Sequence, residues 1–294
     1  MLPRHAVSRL LVEPGSTVRL ADLDPRDTLG LEKPDDVDDA LEEGIEMLAD
    51  YQARLAAQGT HALLVVLQAM DAAGKDGAIK HAMAGVNPQG VQVTSFKAPA
   101  GVELEHDFLW RHVVALPERG KIGIFNRSHY EEVLVVRVHP EILEGQRLPP
   151  ELVGDGIWQR RFGQINAFER HLAENGTSVV KIFLNVSKQE QRERFLARIE
   201  EPEKHWKFQA RDVRERAYWD DYMRAYEEAL SATSTEWAPW YVVPADRKWF
   251  ARLAVTAIVT DALRRIDPEY PVVDGEARRA LIEAKELLER EEAG

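Results

Sequence analysis

The feature that most limits how this chain can fold is a junction. An unbroken apolar run, His61-Ala62-Leu63-Leu64-Val65-Val66-Leu67, leads straight into Gln68-Ala69-Met70-Asp71-Ala72-Ala73-Gly74-Lys75-Asp76-Gly77. A short continuous apolar run followed by small residues is the pattern of a strand buried on both faces, as in a parallel sheet. Apolar residues at Ile79, Met83 and Val86 have helical spacing and place a helix directly after the loop. A strand joined to a helix through small residues can aim backbone N–H groups into one concavity, and the helix N-terminus adds partial positive charge, so the junction favours an anion. Lys75 adds a charged donor for an oxygen of that anion.

The alternation continues along the chain. Val91–Phe96, Lys121–Phe125, Ser178–Leu184 and Trp240–Val243 read as four further strands, and Asp36–Leu55, Leu104–Leu116, Gly156–Glu174 and Lys248–Ile266 as helices. Strands alternating with helices predict an α/β layer fold with a mostly parallel sheet. Residues 1–35 carry several prolines, show weak periodicity and read as an extended N-terminal arm; residues 36–270 form the main domain. A polar, helix-patterned stretch at about 200–230 interrupts the alternation between the fourth and fifth strands, where an inserted lid can sit. Residues 271–294 carry a terminal helix over Ala277–Glu292.

Composition excludes several classes. The net charge of -12 disfavours nucleic acid as a bulk partner. The absence of cysteine removes disulfides, thiolate metal sites and thiol nucleophiles. No apolar run approaches the roughly 18 residues needed to span a bilayer, and no secretory leader is visible, so a cytoplasmic location with no membrane partner is expected. Charge is uneven, with Arg and Lys concentrated between Arg192 and Arg216.

The loop after the first strand stands in the context of a P-loop, with departures. Ala69 replaces the usual first glycine, and Asp76 follows the lysine where Ser or Thr is usual. An acid at Asp71, inside the loop, repels phosphate unless a cation lies between, which points to Mg2+. A tight turn with a helix-capping aspartate is the plainer alternative. The third strand ends in Asn126-Arg127-Ser128-His129-Tyr130-Glu131-Glu132, at the edge of the sheet where ligands of open α/β folds bind. Arg127 can bridge a transferring phosphoryl group, and Glu131 or Glu132 can supply the charge that Asn126 lacks. The same residues also suit a helix start, with Asn126 or Ser128 as cap.

Five segments, in order, resemble the type-2 polyphosphate kinase family. They are Asp71–Gly77, Phe125–Glu131, Glu201-Pro202-Glu203-Lys204-His205-Trp206-Lys207-Phe208, Tyr218-Trp219-Asp220-Asp221-Tyr222 and Pro244-Ala245-Asp246-Arg247-Lys248-Trp249, within a span of roughly Asp36 to Arg265. The resemblance implies a P-loop kinase-like three-layer fold with a central parallel five-stranded sheet and a helical lid. It implies reversible, Mg2+-dependent phosphoryl transfer between inorganic polyphosphate and a nucleotide such as ADP. Asp71 matches the family's metal-holding loop aspartate, Lys75 its phosphate-binding lysine and Arg127 the arginine after the second acidic position. Asn126 stands where many members have aspartate and, with His129-Tyr130-Glu131, resembles the class III subgroup, which accepts AMP as well as ADP. A homo-oligomer, dimer or tetramer, is also implied.

On this reading Asp71, Lys75 and Arg127 are the catalytic candidates, with Asp71 the metal ligand. Ala72, Ala73, Gly74, Lys75, Asp76 and Gly77 cradle phosphate through the loop. A polyanion with about one negative charge per phosphate needs several cations along its path. Arg194 and Arg198 lie four apart on a predicted helix and so share a face, and Lys204, Lys207 and Arg211 follow. Glutamates among them make a solvated, ion-paired surface the alternative. Arg160 and Arg161 are weaker candidates for the same channel. Asn126, Glu131 and Lys97 are the candidates on the nucleotide side. Two rival readings are an ATP-dependent nucleoside-monophosphate kinase and a catalytically inactive P-loop nucleotide sensor.

Overall fold

β1 (Ala62–Ala69) is buried at every position, as its uninterrupted apolar run requires. In the computed structural model, which describes residues 2–33 and 37–291 (and of Lys207 only the backbone), β1 is the middle of a five-stranded sheet. β3 (Ile122–Asn126) flanks it on one side and β4 (Thr177–Asn185) on the other; β2 (Val91–Ser95) and β5 (Trp240–Pro244) complete the order β2-β3-β1-β4-β5. Every pairing is parallel. Leu63, Leu64, Val65, Val66 and Leu67 are each at most 2% exposed, and burying such a side chain contributes about 2 kcal/mol.

The main helices among the described residues are α1 (Val37–Gln58), α2 (Lys75–Ala82), α3 (Trp110–Val114), α4 (Ile157–Glu174), α5 (Lys188–Glu200), α6 (Trp219–Thr233), α7 (Lys248–Ile266) and α8 (Gly275–Glu291). α7 packs against α1, α2, β4 and β5, while α4 packs on β4 and against α6. Helix layers on the sheet give the α/β fold with a parallel five-stranded sheet that the sequence leads one to expect. The expected helix start at Asp36 and end at Glu292 lie outside the described residues.

Two local features differ from the periodicity. The stretch expected as one helix over Leu104–Leu116 is a 3-10 turn at Gly101–Glu105 followed by the short α3. Asp107 accounts for the break, because its carboxylate accepts from the Leu109 N–H at 2.8 Å and holds the backbone in a local turn. The N-terminal residues lie along the edge of β5. The Val242 N–H donates to the Leu10 carbonyl at 2.8 Å and the Val12 N–H to the Trp240 carbonyl at 2.9 Å, with Leu11 bridged antiparallel to Tyr241. Leu2, Val7, Leu10, Val12, Val18 and Leu20 join the main core. An otherwise open sheet edge is thereby covered.

Between α5 and α6 the chain makes a 3-10 segment at Pro202–Lys207, a short helix at Ala210–Glu215 and another 3-10 turn at Arg216–Tyr218. α8 buries none of its residues. The register decides where the site forms. Leu67 of β1 lies beside Asn126 of β3, and Ala69 beside Leu184 of β4. The loops leaving β1 and β3 therefore emerge side by side at the carboxyl edge of the sheet.

Candidate active site

The loop from Met70 to Gly74 turns sharply, with Ala72 at φ +62° and Gly74 at φ +109°. Left-handed residues in such a turn shape the concavity in which backbone N–H groups collect. Its carbonyls are held from the other side. Arg194 of α5 donates to the carbonyls of Ala72 (3.2 Å) and Ala73 (2.5 Å), and also to those of Ala245 (2.6 Å) and Asp246 (3.3 Å). The Gln191 amide donates to the Asp71 carbonyl at 2.9 Å. Arg194, expected along a phosphate channel, is thus buried beneath the loop and braces it. Lys75 folds over the same turn, its Nζ donating to the carbonyls of Ala69 (2.8 Å) and Met70 (3.3 Å).

The second loop meets the first. Asn126, at the end of β3, donates to Asp76 Oδ1 at 2.7 Å. Arg127, at φ +63°, reaches Asp71 Oδ1 at 2.6 Å and Glu131 Oε2 at 3.5 Å. Asp71, Lys75, Asp76, Asn126, Arg127 and Glu131 therefore form one charged cluster, although some fifty residues separate the two loops. Burial works against the Arg127 charge, but Glu131 and Asp71 outweigh it and raise its pKa. Lys75 is pushed down to about 8 by removal from water and then by the charge of Arg127; Asp71, Glu131 and Asp76 only partly compensate.

The Lys75 shift has a measurable consequence. The free enzyme loses the Lys75 charge as pH rises through about 8. A bound phosphate favours the charged form and moves that titration upward. We expect kcat/KM to fall by about tenfold per pH unit above that point, while kcat at saturating substrates holds to higher pH. A kcat/KM profile flat to pH 10 would contradict this. For stability the sign is opposite: between about 8 and the usual 10.5 the unfolded chain holds the proton that folded Lys75 has lost, so this group makes stability rise with pH there.

A cleft of about 390 Å³ opens from the two loops. Lys97, Arg111, Arg127, Arg211 and Arg216 line it, together with carboxylates including Asp71, Glu131 and Asp212, and with Phe108, Tyr222 and Tyr226. Burial and the neighbouring Asp71 charge raise the Asp212 pKa. Of the expected channel cations whose side chains are described, only Arg211 reaches this wall. Arg198 and Lys204 lie outside it, the first over the Phe195 ring at 5.4 Å and the second paired with Glu201. The Lys207 side chain lies outside the described residues. Arg160 donates to the Leu152 carbonyl at 2.7 Å, and Arg161 is buried against Glu132 at 2.9 Å. Burial raises the Glu132 pKa in spite of Arg161.

Sequence reasoning missed Arg111, whose guanidinium donates to the Lys97 carbonyl at 2.6 Å, and Arg216, which holds Gln191 Oε1 at 2.6 Å. It also missed Gln191, for which a signal existed: Gln191 and Arg194 lie three apart and share a face of α5. Among the described residues, no three His, Asp or Glu side chains converge as a metal cage. A lone carboxylate such as Asp71, 29% exposed, still fits Mg2+, which keeps several waters and is bound through one or two carboxylates plus substrate phosphates.

A parallel sheet that delivers an anion-cradling loop with its lysine, and beside it an arginine among carboxylates, defines a P-loop phosphotransferase. More narrowly, the chain belongs to the polyphosphate kinase 2 family, whose model matches residues 31–271. It is 54% identical over 245 residues to the ADP-polyphosphate phosphotransferase of Rhodopseudomonas palustris, covering 83% of this chain and 85% of that one. It is 44% identical over 273 residues to the AMP/ADP-polyphosphate phosphotransferase of Meiothermus ruber, covering 92% and 98%. The crystal structure of polyphosphate kinase 2 from Arthrobacter aurescens TC1 superposes with a TM-score of 0.84 at 44% identity, covering 94% of this chain and 96% of that one. The chain is therefore an enzyme of polyphosphate–nucleotide phosphoryl transfer. No helix among the described residues is long and apolar enough to cross a membrane.

Proposed function

We propose that the enzyme moves the terminal phosphoryl group of inorganic polyphosphate to ADP, giving ATP, and also to AMP, as a class III member of its family. The observation that carries this is the meeting of Asp71 and Arg127 in a cleft with both charged and aromatic walls, with Lys75 on the adjoining loop coupled electrostatically to both. The acceptor oxygen is already anionic near neutral pH, so positioning and charge neutralisation suffice for an in-line transfer. Lys75 and the loop N–H groups hold the donor phosphate, and Arg127 faces the charge that develops on the transferring group. Asp71 would hold Mg2+, which when bound neutralises phosphate charge. The segment at 201–218 closes over the cleft as a lid, excluding water as an alternative acceptor.

Two points support AMP as an acceptor. Asn126 is bonded to Asp76, so the end of β3 presents an amide where many family members have a carboxylate. The relative from Meiothermus ruber is named for both AMP and ADP. Incubation of the purified enzyme with Mg2+, polyphosphate and either AMP or ADP tests the reading. ATP should appear from ADP, and ADP followed by ATP from AMP, in each case only with polyphosphate present. Activity with ADP alone would remove AMP; transfer from ATP to AMP without polyphosphate would instead favour a nucleoside-monophosphate kinase. We place the enzyme in the cytoplasm as a homo-oligomer, with the exposed Leu281, Ile282, Leu287 and Leu288 of α8 as its contact. A monomer mass by light scattering would overturn the assembly.

A further inference from the structure

Behind the second loop lies a buried polar cluster that phosphoryl transfer does not itself use. Lys181 on β4 and Glu169 on α4 are both 0% exposed. Lys181 Nζ donates to Glu169 Oε2 at 2.5 Å, to the Tyr130 hydroxyl at 2.9 Å and to the Thr233 carbonyl at 2.6 Å. Glu169 Oε1 accepts from the Tyr130 hydroxyl at 2.9 Å and bonds His129 Nε2 at 3.2 Å. The Trp240 indole N–H donates to Thr233 Oγ1 at 2.9 Å, and its ring stands edge-on to Tyr130 with centroids 4.8 Å apart.

Stability alone is a poor explanation for such a cluster. Taking a carboxylate and an ammonium out of water is costly, and apolar residues of similar volume are often as stable or more so. What the ion pair adds is direction. Lys181 has three N–H donors and uses one on each of three elements: α4, the turn after Arg127, and the end of α6. Its charge also sits at the carbonyl end of α6, where a helix favours a cation. Burial draws the Lys181 pKa down, with Glu169 resisting; the Glu169 pKa lies below its usual value because Lys181 and His129 outweigh burial.

Both ends of this cluster reach the active site. His129 and Tyr130 follow Arg127 by two and three residues. Arg127 holds φ +63°, a conformation that a side chain other than glycine keeps only when its surroundings enforce it. α6 carries Tyr222 and Tyr226 into the cleft wall. We propose that Lys181, Glu169 and Tyr130 are positioning residues, a buried post that fixes the turn behind Arg127 and the root of α6 so that the guanidinium is aimed before substrate arrives. The proposal rests on the reading of Arg127 given under the proposed function.

A double-mutant cycle separates the two claims. Tyr130→Phe removes one hydroxyl and leaves the ring packing in place. It should lower kcat about tenfold with KM for ADP and polyphosphate within about twofold, as a small misplacement of a catalytic group does. In an Arg127→Ala background the same change should lower kcat less than about twofold, because the group it aims is gone. Glu169→Gln should show the same pattern. Unchanged kcat in a folded Tyr130→Phe, or equal fold-losses in both backgrounds, would overturn the proposal. Loss of the folded state by both Tyr130→Phe and Glu169→Gln, read by circular dichroism, also counts against it, since the cluster would then be purely structural. If Arg127→Ala alone leaves kcat intact, it is the reading of Arg127 that fails.

Discussion

Asp71→Asn is expected to lower kcat for polyphosphate-dependent ATP formation by about 10³-fold, a loss of the size that follows removal of a metal-linked charge from a phosphoryl-transfer site. The substitution keeps the side chain's shape and changes its charge. Asparagine has the same shape and keeps an oxygen for the Arg127 guanidinium, which lies 2.6 Å from Asp71 Oδ1. The backbone of the turn is untouched, because Gln191 and Arg194 hold its carbonyls. Only the negative charge disappears. The Asp71–Arg127 pair is partly exposed, at 29% and 39%, so its loss should cost no more than about 1 kcal/mol of stability. The melting temperature should therefore stay within a few degrees. Asp76→Asn is the control: Asp76 accepts from Asn126 at 2.7 Å, a bond an amide oxygen can still accept, and its kcat should fall less than about tenfold. Turnover by folded Asp71→Asn within tenfold of the parent would remove Asp71 from the chemistry.

The sheet was legible chiefly because β1, β3, β4 and β5 are mainly apolar runs with clear ends, whereas β2 is a short mixed segment. α7 matches its expected bounds, Lys248–Ile266, for the same reason: it is apolar on nearly every face. The N-terminal residues were not legible as core. Leu2, Val7, Leu10, Val12, Val18 and Leu20 are buried on mostly irregular backbone, and their spacing follows neither 3.6 nor 2.0 residues. Asp71, Lys75 and Arg127 could be picked out because the ends of β1 and β3 deliver them, and strand ends can be read locally. Arg194 could not be placed in the same way. Its spacing to Arg198 suggests a shared outward face, yet its partners are carbonyls at Ala72, Ala73 and Ala245, fixed only by tertiary structure. Lys181 did leave a signal. A lysine amid Val179, Val180 and Ile182 in an interior strand must have a buried partner, because an isolated charge cannot remain there. The sequence does not say that the partner is Glu169, on the helix before.

Arg127→Ala should lower kcat by about 10³-fold, the lower end of what an arginine facing the transition state contributes in phosphoryl transfer. Two effects combine. On the proposed mechanism the guanidinium is lost from the place where charge develops on the transferring group. The cluster also becomes more negative, because Arg127 sits between Asp71 and Glu131, with Asp212 also facing the cleft. A more acidic site repels polyphosphate, so its KM should rise as well, and more steeply at low ionic strength. Arg127→Lys should recover only part of the loss. Lysine restores a charge, but a single ammonium cannot span two carboxylates and a phosphate as a planar fork can. In the parent the Arg127 pKa is raised by Glu131 and Asp71 against burial, so its charge persists at every working pH. A folded Arg127→Ala that keeps kcat within tenfold of the parent would show that this arginine serves only to pair Asp71 and Glu131.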